Sequence, residues 1–321
     1  MAVKEIFRIE KKPIKGLLTV EWVILGYWVL TLLFVLFTYT KIQNPEALIY
    51  GRIKVLALTA AMWAVYRMIP CRFTLLCRIG VQLALLSWWY PDTYELNKIL
   101  PNLDYLFAGY EQQLFGCQPA LLFPEAITNP VFSELMHLGY ASYFPLIAVV
   151  TLFYFFWRYS EFNRAVFFIL ASFFLYYVIF IFLPVTGPQY YYEAVGLGKI
   201  AQGIFPNLHD YFATHDEPMT MPGYSDGFFY QCVASAHATG ERPTAAFPSS
   251  HVGITTILLF LVWRTKNRLL FFGILPFYVL MCMATVYIRA HYAIDVIGGW
   301  VSAVIFYVLL QSFWVLSKRR Y

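Results

Sequence analysis

Two short stretches of the chain hold residue types that could move a phosphoryl group. The first is Phe247-Pro248-Ser249-Ser250-His251-Val252-Gly253; the second runs from Tyr287 through Arg289, His291 and Asp295 to Gly298-Gly299. His291 and Asp295 are four residues apart, so on a helix they share a face. The carboxylate can then accept a proton from one imidazole nitrogen while the other faces outward as nucleophile or base. Pro248 followed by two serines predicts a helix start with Ser249 or Ser250 as N-cap. Such a start leaves backbone N–H groups and a positive dipole end beside His251, which suit a phosphate. Arg242 and Arg289 add two cations able to bind an anionic oxygen and to stabilise charge during transfer. Alone, either histidine reads as an interfacial residue. Asp295, several residues into an apolar run, costs about 3 kcal/mol to insert, and a partner at i−4 is the usual way that cost is offset.

The elements that must position these residues are membrane helices. Of 321 residues 60% are apolar, 20% aromatic and only 13% charged, which excludes an ordinary soluble enzyme and the disordered, collagenous and coiled-coil classes. Apolar runs near 17–39, 54–70, 73–90, 135–157, 164–184, 250–263, 268–288 and 292–316 predict an all-α, polytopic bundle of about eight spans. Arg67 and Arg78 fall near span ends and are expected to snorkel. With the N-terminus in the cytoplasm, Lys4, Arg8, Lys11, Lys12, Lys15, Arg67, Arg72, Arg78, Arg158, Arg164, Arg264, Lys266, Arg268, Lys318, Arg319 and Arg320 share that side. The other side holds few cations, as the positive-inside rule requires. The net charge of +5 therefore reports topology, and no nucleic-acid partner is expected. Both histidine stretches then meet the membrane on the non-cytoplasmic side, periplasmic or lumenal, in a bacterial inner membrane or an ER or Golgi membrane. Residues 1–321 read as one integral membrane domain, with non-cytoplasmic loops 91–134 and 185–249 capping the site. Cys117 and Cys232 lie in these loops, where a disulfide between them could form.

Phe247-Pro248-Ser249-Ser250-His251, followed about forty residues later by His291-Tyr292-Ala293-Ile294-Asp295, resembles the second and third motifs of the type-2 phosphatidic acid phosphatase superfamily of membrane enzymes. These forms, with Leu114-Phe115-Gly116-Cys117-Gln118-Pro119, are most similar to its inositol phosphorylceramide synthase branch. The resemblance implies a six-helix phosphatase-like core. It also implies that His291 attacks phosphorus and becomes a phosphohistidine, that Asp295 orients it, and that His251 protonates the leaving oxygen. No cofactor and no metal is implied. The chain departs from the family pattern at three places. Arg242-Pro243 is present, but the preceding Lys position is Ser235; an Arg position ahead of His291 is Thr285; and the Gly of the second motif is Ser250. Arg289 can replace a missing cation only if it precedes the helix, because residues two apart on a helix point about 200° apart.

A phosphomonoester carries up to about two negative charges at neutral pH. A phosphodiester carries one, so a cation-poor pocket fits a diester donor and headgroup transfer better. The expected function is therefore a lipid phosphotransferase moving a phospho-headgroup, such as phosphoinositol, to a lipid alcohol such as ceramide. A lipid phosphate phosphatase, with water as acceptor, is the alternative. The acids and aromatics of 206–217 suit a polyol headgroup, though the leading reading for most of them is a solvated cap over the site. Lys199 could supply a cation if its loop folds back. A transporter would place charges or broken helices near the bilayer midplane, often in repeated halves, and a scaffold needs no matched histidines; both non-enzyme classes are remote alternatives. The partners expected are the bilayer, a phospholipid donor and a lipid alcohol or water.

Overall fold

The computed structural model describes residues 3–318; Arg319 and Arg320, assigned above to the cytoplasmic side, lie outside the described residues. Among these the regular structure is helical, without a strand. In chain order the helices are α1 Val3–Ile6, α2 Thr19–Phe37, α3 Pro45–Met68, α4 Arg72–Asn97, α5 Asp104–Phe115, α6 Pro119–Ala126, α7 Pro130–Ala141 and α8 Tyr143–Trp157. They continue as α9 Tyr159–Phe182, α10 Pro188–Val195, α11 Leu197–Ala201, α12 Phe228–Gly240, α13 Ser250–Arg264, α14 Arg268–Tyr287 and α15 Ala293–Lys318. The polytopic helical bundle expected from the apolar runs is the architecture found.

Six of these helices, α2, α3, α4, α9, α14 and α15, are long and apolar enough to cross a membrane. The run at 135–157 is not one straight span but the pair α7 and α8, bent by 48° at Ser142, whose hydroxyl donates to the Gly139 carbonyl. The run at 250–263 is the short helix α13, of 15 residues. Eight apolar segments therefore correspond to six full-length helices, one bent pair and one short inner helix. The difference arises because a helix enclosed by protein need not match the bilayer thickness that sets the length of a lipid-facing span. α13 is enclosed in this way, packing against α8, α9, α14 and α15. The phenylalanine- and tyrosine-rich α9 is the most deeply enclosed of the long helices.

Two ion pairs within the N-terminal helices correct the reading of their charges. Arg78 does not snorkel: it is fully buried and gives both Nε and Nη2 to the carboxylate of Glu21 in α2. Glu21 in turn accepts the Leu18 N–H and so caps α2. Arg52, two residues ahead of the 54–70 apolar run, lies inside α3 and meets Asp92 of α4 through two bonds of 2.9 and 2.7 Å, both residues buried. Arg67 does remain exposed at the end of α3. Each of these two enclosed arginines has an opposite partner, the arrangement an apolar surrounding demands. Together the pairs tie α2 to α4 and α3 to α4.

Candidate active site

His251 and His291 come together. His251 opens α13, and His291 lies in the link between α14 and α15, yet His291 Nε2 is 3.4 Å from His251 Nδ1. Glycines allow this approach. A methyl group added to Gly299 would stand 2.8 Å from the Ser249 carbonyl oxygen, and one on Gly298 would stand 2.7 Å from the Phe247 ring. With only hydrogens there, α15 lies directly against the start of α13. Ser249 N–H donates to the Asp295 carbonyl at 3.0 Å, and its side chain is the N-cap, accepting from Val252 N–H. Of the two serines offered by the sequence, Ser249 is therefore the cap and Ser250 the half-buried first helical residue.

His291 is oriented by two acceptors. Nδ1 lies 2.8 Å from the Ala246 carbonyl oxygen and 3.5 Å from Asp295 Oδ2. The carbonyl is the nearer, so the backbone shares a role that the sequence assigns to Asp295 alone. A carbonyl can only accept, which assigns the proton to Nδ1 and leaves the Nε2 lone pair facing His251. Burial holds the His291 imidazole down at about 4, against the Ala246 bond and the charge of Glu241, so the ring is neutral at pH 7. Asp295 Oδ2 also accepts the Tyr292 N–H at 2.8 Å, which closes the turn into α15.

Other residues that sequence reasoning missed surround this pair. The bend between α7 and α8 sets Tyr140 and Tyr143 on either side of Ser142, and both rings lie on His251, with centroids 4.6 and 4.3 Å away. Asp104 of α5 is buried and accepts from Thr186 N–H and Oγ1, Gly187 N–H, Asn102 Nδ2 and Tyr292 Oη. It ties the segment after α9 to the His291–Asp295 turn. Burial raises its carboxyl, and the donors from Thr186, Asn102 and Gly187 oppose that rise. Glu241 accepts from Tyr90 Oη at 3.1 Å and Gln189 Nε2 at 3.3 Å, and its charge also acts on Tyr190 and His291. Its position directly before Arg242-Pro243 was the one available signal; the tyrosines and Asp104 had none.

The cations are more dispersed than the histidines. Arg242 is half-buried, donates to the Glu241 carbonyl at 2.7 Å and acts electrostatically on Tyr190. Arg289 does precede α15, with a φ of 65°. Its guanidinium, however, turns to the Ala120 carbonyl at 3.2 Å, Met219 Sδ at 3.8 Å and Glu125 at 3.6 Å. Lys199 is exposed on α11, and His209, Asp210, His215, Asp216 and Glu217 are likewise exposed. Cys117 and Cys232 stand as free thiols, so the disulfide that the two loops allowed is not formed. An open apolar groove lined by Phe107, Tyr110, Leu114, Phe247 and Ile294 runs past the same motif residues.

The family model of the PAP2 superfamily matches residues 110–309, a stretch that takes in both histidine motifs and leaves α2 to α4 outside. The chain belongs to this superfamily. Membership makes it a phosphatase- or phosphotransferase-type lipid enzyme of the membrane, in keeping with its apolar helices. No curated protein and no solved structure matches the chain.

Proposed function

We propose that this PAP2-superfamily member is a lipid phosphotransferase of the inositol phosphorylceramide synthase-like kind. It moves a phospho-headgroup from a phosphodiester lipid to a lipid alcohol through a phosphohistidine on His291. The observation that carries the reading is the 3.4 Å approach of His291 Nε2 to His251 Nδ1, which lets both rings reach one phosphorus atom. The neutral Nε2 attacks phosphorus and the bond to the departing lipid oxygen breaks, that oxygen taking a proton from His251, which must first have gained one as imidazolium, a form that burial disfavours and the bound phosphate anion stabilises. The acceptor hydroxyl then gives its proton back to His251 and attacks phosphorus as the P–N bond breaks. Phosphorylation makes the His291 ring cationic, and Asp295 offsets that charge. The N–H groups at the start of α13, together with Ser249, Ser250 and Arg242, are the proposed surroundings of the phosphate, and Arg289 joins them only by leaving Glu125 and the Ala120 carbonyl.

The choice of a diester donor is supported by the charges. Ser235 and Thr285 are uncharged where the family carries cations, and Arg289 is already engaged by Glu125 and the Ala120 carbonyl. Glu241 presents a carboxylate toward the same site, which repels a dianion but suits the hydroxyls of a headgroup such as inositol. Segments 91–134 and 185–249 are taken to cover the site on the periplasmic or lumenal side, with both termini cytoplasmic, and the Phe107–Phe247 groove offers an apolar surface for lipid chains.

The test uses purified enzyme in detergent, given phosphatidylinositol with ceramide and, separately, phosphatidate. A headgroup-bearing sphingolipid is expected from the first mixture. Release of free phosphate from phosphatidate without any transfer product would replace this reading by a phosphatase, with water resolving the phosphohistidine.

A further inference from the structure

Behind the His291–Asp295 turn lies a carboxyl that the reaction above does not use. Glu111 of α5 is completely buried, and its Oε2 accepts the Ile294 N–H of the first turn of α15 at 3.1 Å. Its other oxygen, Oε1, is buried without a hydrogen-bond partner, and so is Oδ1 of Asp295. The two carboxyls act on each other electrostatically. Two buried carboxylates with one orphan oxygen each are unstable as a pair of anions, because like charges in an apolar surrounding are costly and each orphan atom forfeits a hydrogen bond. One proton removes both costs, since a protonated carboxyl donates and an ionised one accepts. No third metal-ligating side chain joins them among the described residues, so a proton rather than a cation is the economical bridge.

We propose that Glu111 is a positioning residue for the catalytic pair, standing as a neutral acid whose Oε1–H donates to Asp295 Oδ1 while its Oε2 caps α15. This rests on the reading of His291 as nucleophile. The bond turns Asp295 Oδ2 toward His291 Nδ1 and leaves a single negative charge on the dyad, which matches the single positive charge of the phosphorylated imidazole. The charged and titratable groups facing this spot are Asp295 on α15 and Tyr192 on α10, whose hydroxyl also feels Arg289 and Asp104. Burial and the Asp295 charge push the Glu111 carboxyl up to about 8, while the N–H groups of Ile294 and Ala293 pull the other way. Ionisation above that pH places a second anion beside Asp295, breaks the shared bond and frees Oδ2 to move.

The experiment compares pH–rate profiles of the full-length enzyme with those of E111Q and E111A, alongside H291A, using whichever lipid donor the wild type turns over. Gln keeps both functions of the neutral acid, its carbonyl capping α15 and its amide donating to Asp295. E111Q is expected to stay within about threefold of wild-type turnover at pH 7 and to lose the alkaline decline near pH 8. E111A is expected to lose about tenfold or more in kcat with KM within about twofold, since a displaced orienting group acts on the transition state. A wild-type alkaline limb in E111Q, or full activity in E111A, overturns the assignment. Activity retained by H291A would instead overturn the nucleophile reading, so the two failures are distinguishable. E111Q also keeps the test decisive should E111A not fold.

Discussion

The His291 ring is fixed by a carbonyl at 2.8 Å and a carboxylate at 3.5 Å, and this difference predicts how substitutions divide. His291→Ala removes the proposed attacking atom, so turnover should fall by at least about 10³-fold and no phosphoenzyme should be trapped with radiolabelled donor. Asp295→Asn leaves the Ala246 carbonyl to hold the tautomer, so the phosphoenzyme should still form, with turnover reduced by about 10²-fold. Equal loss in the two variants would show that the carbonyl does not orient the ring. Because burial keeps His291 near 4, the proposed nucleophile stays neutral through the physiological range, so the acid limb of kcat/KM should appear only as pH falls toward 4, beside the alkaline limb near pH 8 set by Glu111. Arg242 lies at the Glu241–Tyr190 cluster, whereas Arg264 faces Glu161 at 3.8 Å at the far end of α13. Arg242→Ala should therefore raise the KM for donor more than Arg264→Ala, as measured by initial rates in mixed micelles.

At the scale of elements, the meeting of the two histidines depends on how closely α15 approaches the start of α13. Gly299→Ala forces a methyl group against the Ser249 carbonyl, where neither backbone can yield without separating the histidines. Activity should drop by more than about tenfold, and the thermal midpoint by several degrees for a cost of about 1–3 kcal/mol. Gly273 on α14, with nothing within 4 Å of an added methyl, is the matched control. Gly273→Ala should be neutral or stabilising by up to about 1 kcal/mol, because glycine is a poor helix former. The bend at Ser142 acts in the same way from the other side, since only a broken helix presents Tyr140 and Tyr143 to one imidazole.

Across the whole molecule, enclosed charges set the stability. Removing one member of Arg52–Asp92 leaves its partner buried and unpaired, so Asp92→Ala should cost about 3–5 kcal/mol in detergent denaturation, while Arg52→Met with Asp92→Leu should recover most of it. A double variant as unstable as the single would point to a role beyond charge balance. The pH dependence of folding follows from two groups of opposite shift. The Glu111 carboxyl is raised from 4.5 to about 8, so its contribution is complete below pH 4.5 and lost as pH rises through 8. The His291 imidazole is lowered from 6.5 to about 4, so its contribution is complete above pH 6.5 and lost as pH falls through 4. Their slopes cancel between 4.5 and 6.5. The thermal midpoint should show a broad maximum there, with Glu111→Gln flattening the alkaline side and His291→Ala the acid side.

Composition and apolar run length were enough to specify a helical membrane bundle, because lipid admits only segments that satisfy their own backbone and shed their charges. The spacing of His291 and Asp295 and the serines after Pro248 made the histidine motifs and the N-cap legible, since both depend on contacts between residues a few places apart, although His291 stands in the link before α15 rather than on a shared helical face. The burial of Arg78 and Arg52 escaped the same reasoning: a charge count along the chain assigns a cation to a span end, but only the packing of α2, α3 and α4 supplies Glu21 and Asp92 as partners. Asp104, Glu111, Tyr140 and Tyr143 lie between about 110 and 190 residues from the motif residues they serve, and no local pattern links them; Glu241, 50 residues before His291, is marked only by its place beside Arg242-Pro243. The local sequence thus determined which atoms could react. The tertiary structure decided which backbone carbonyl, carboxyls and rings surround them, because those contacts exist only when distant helices close on one another.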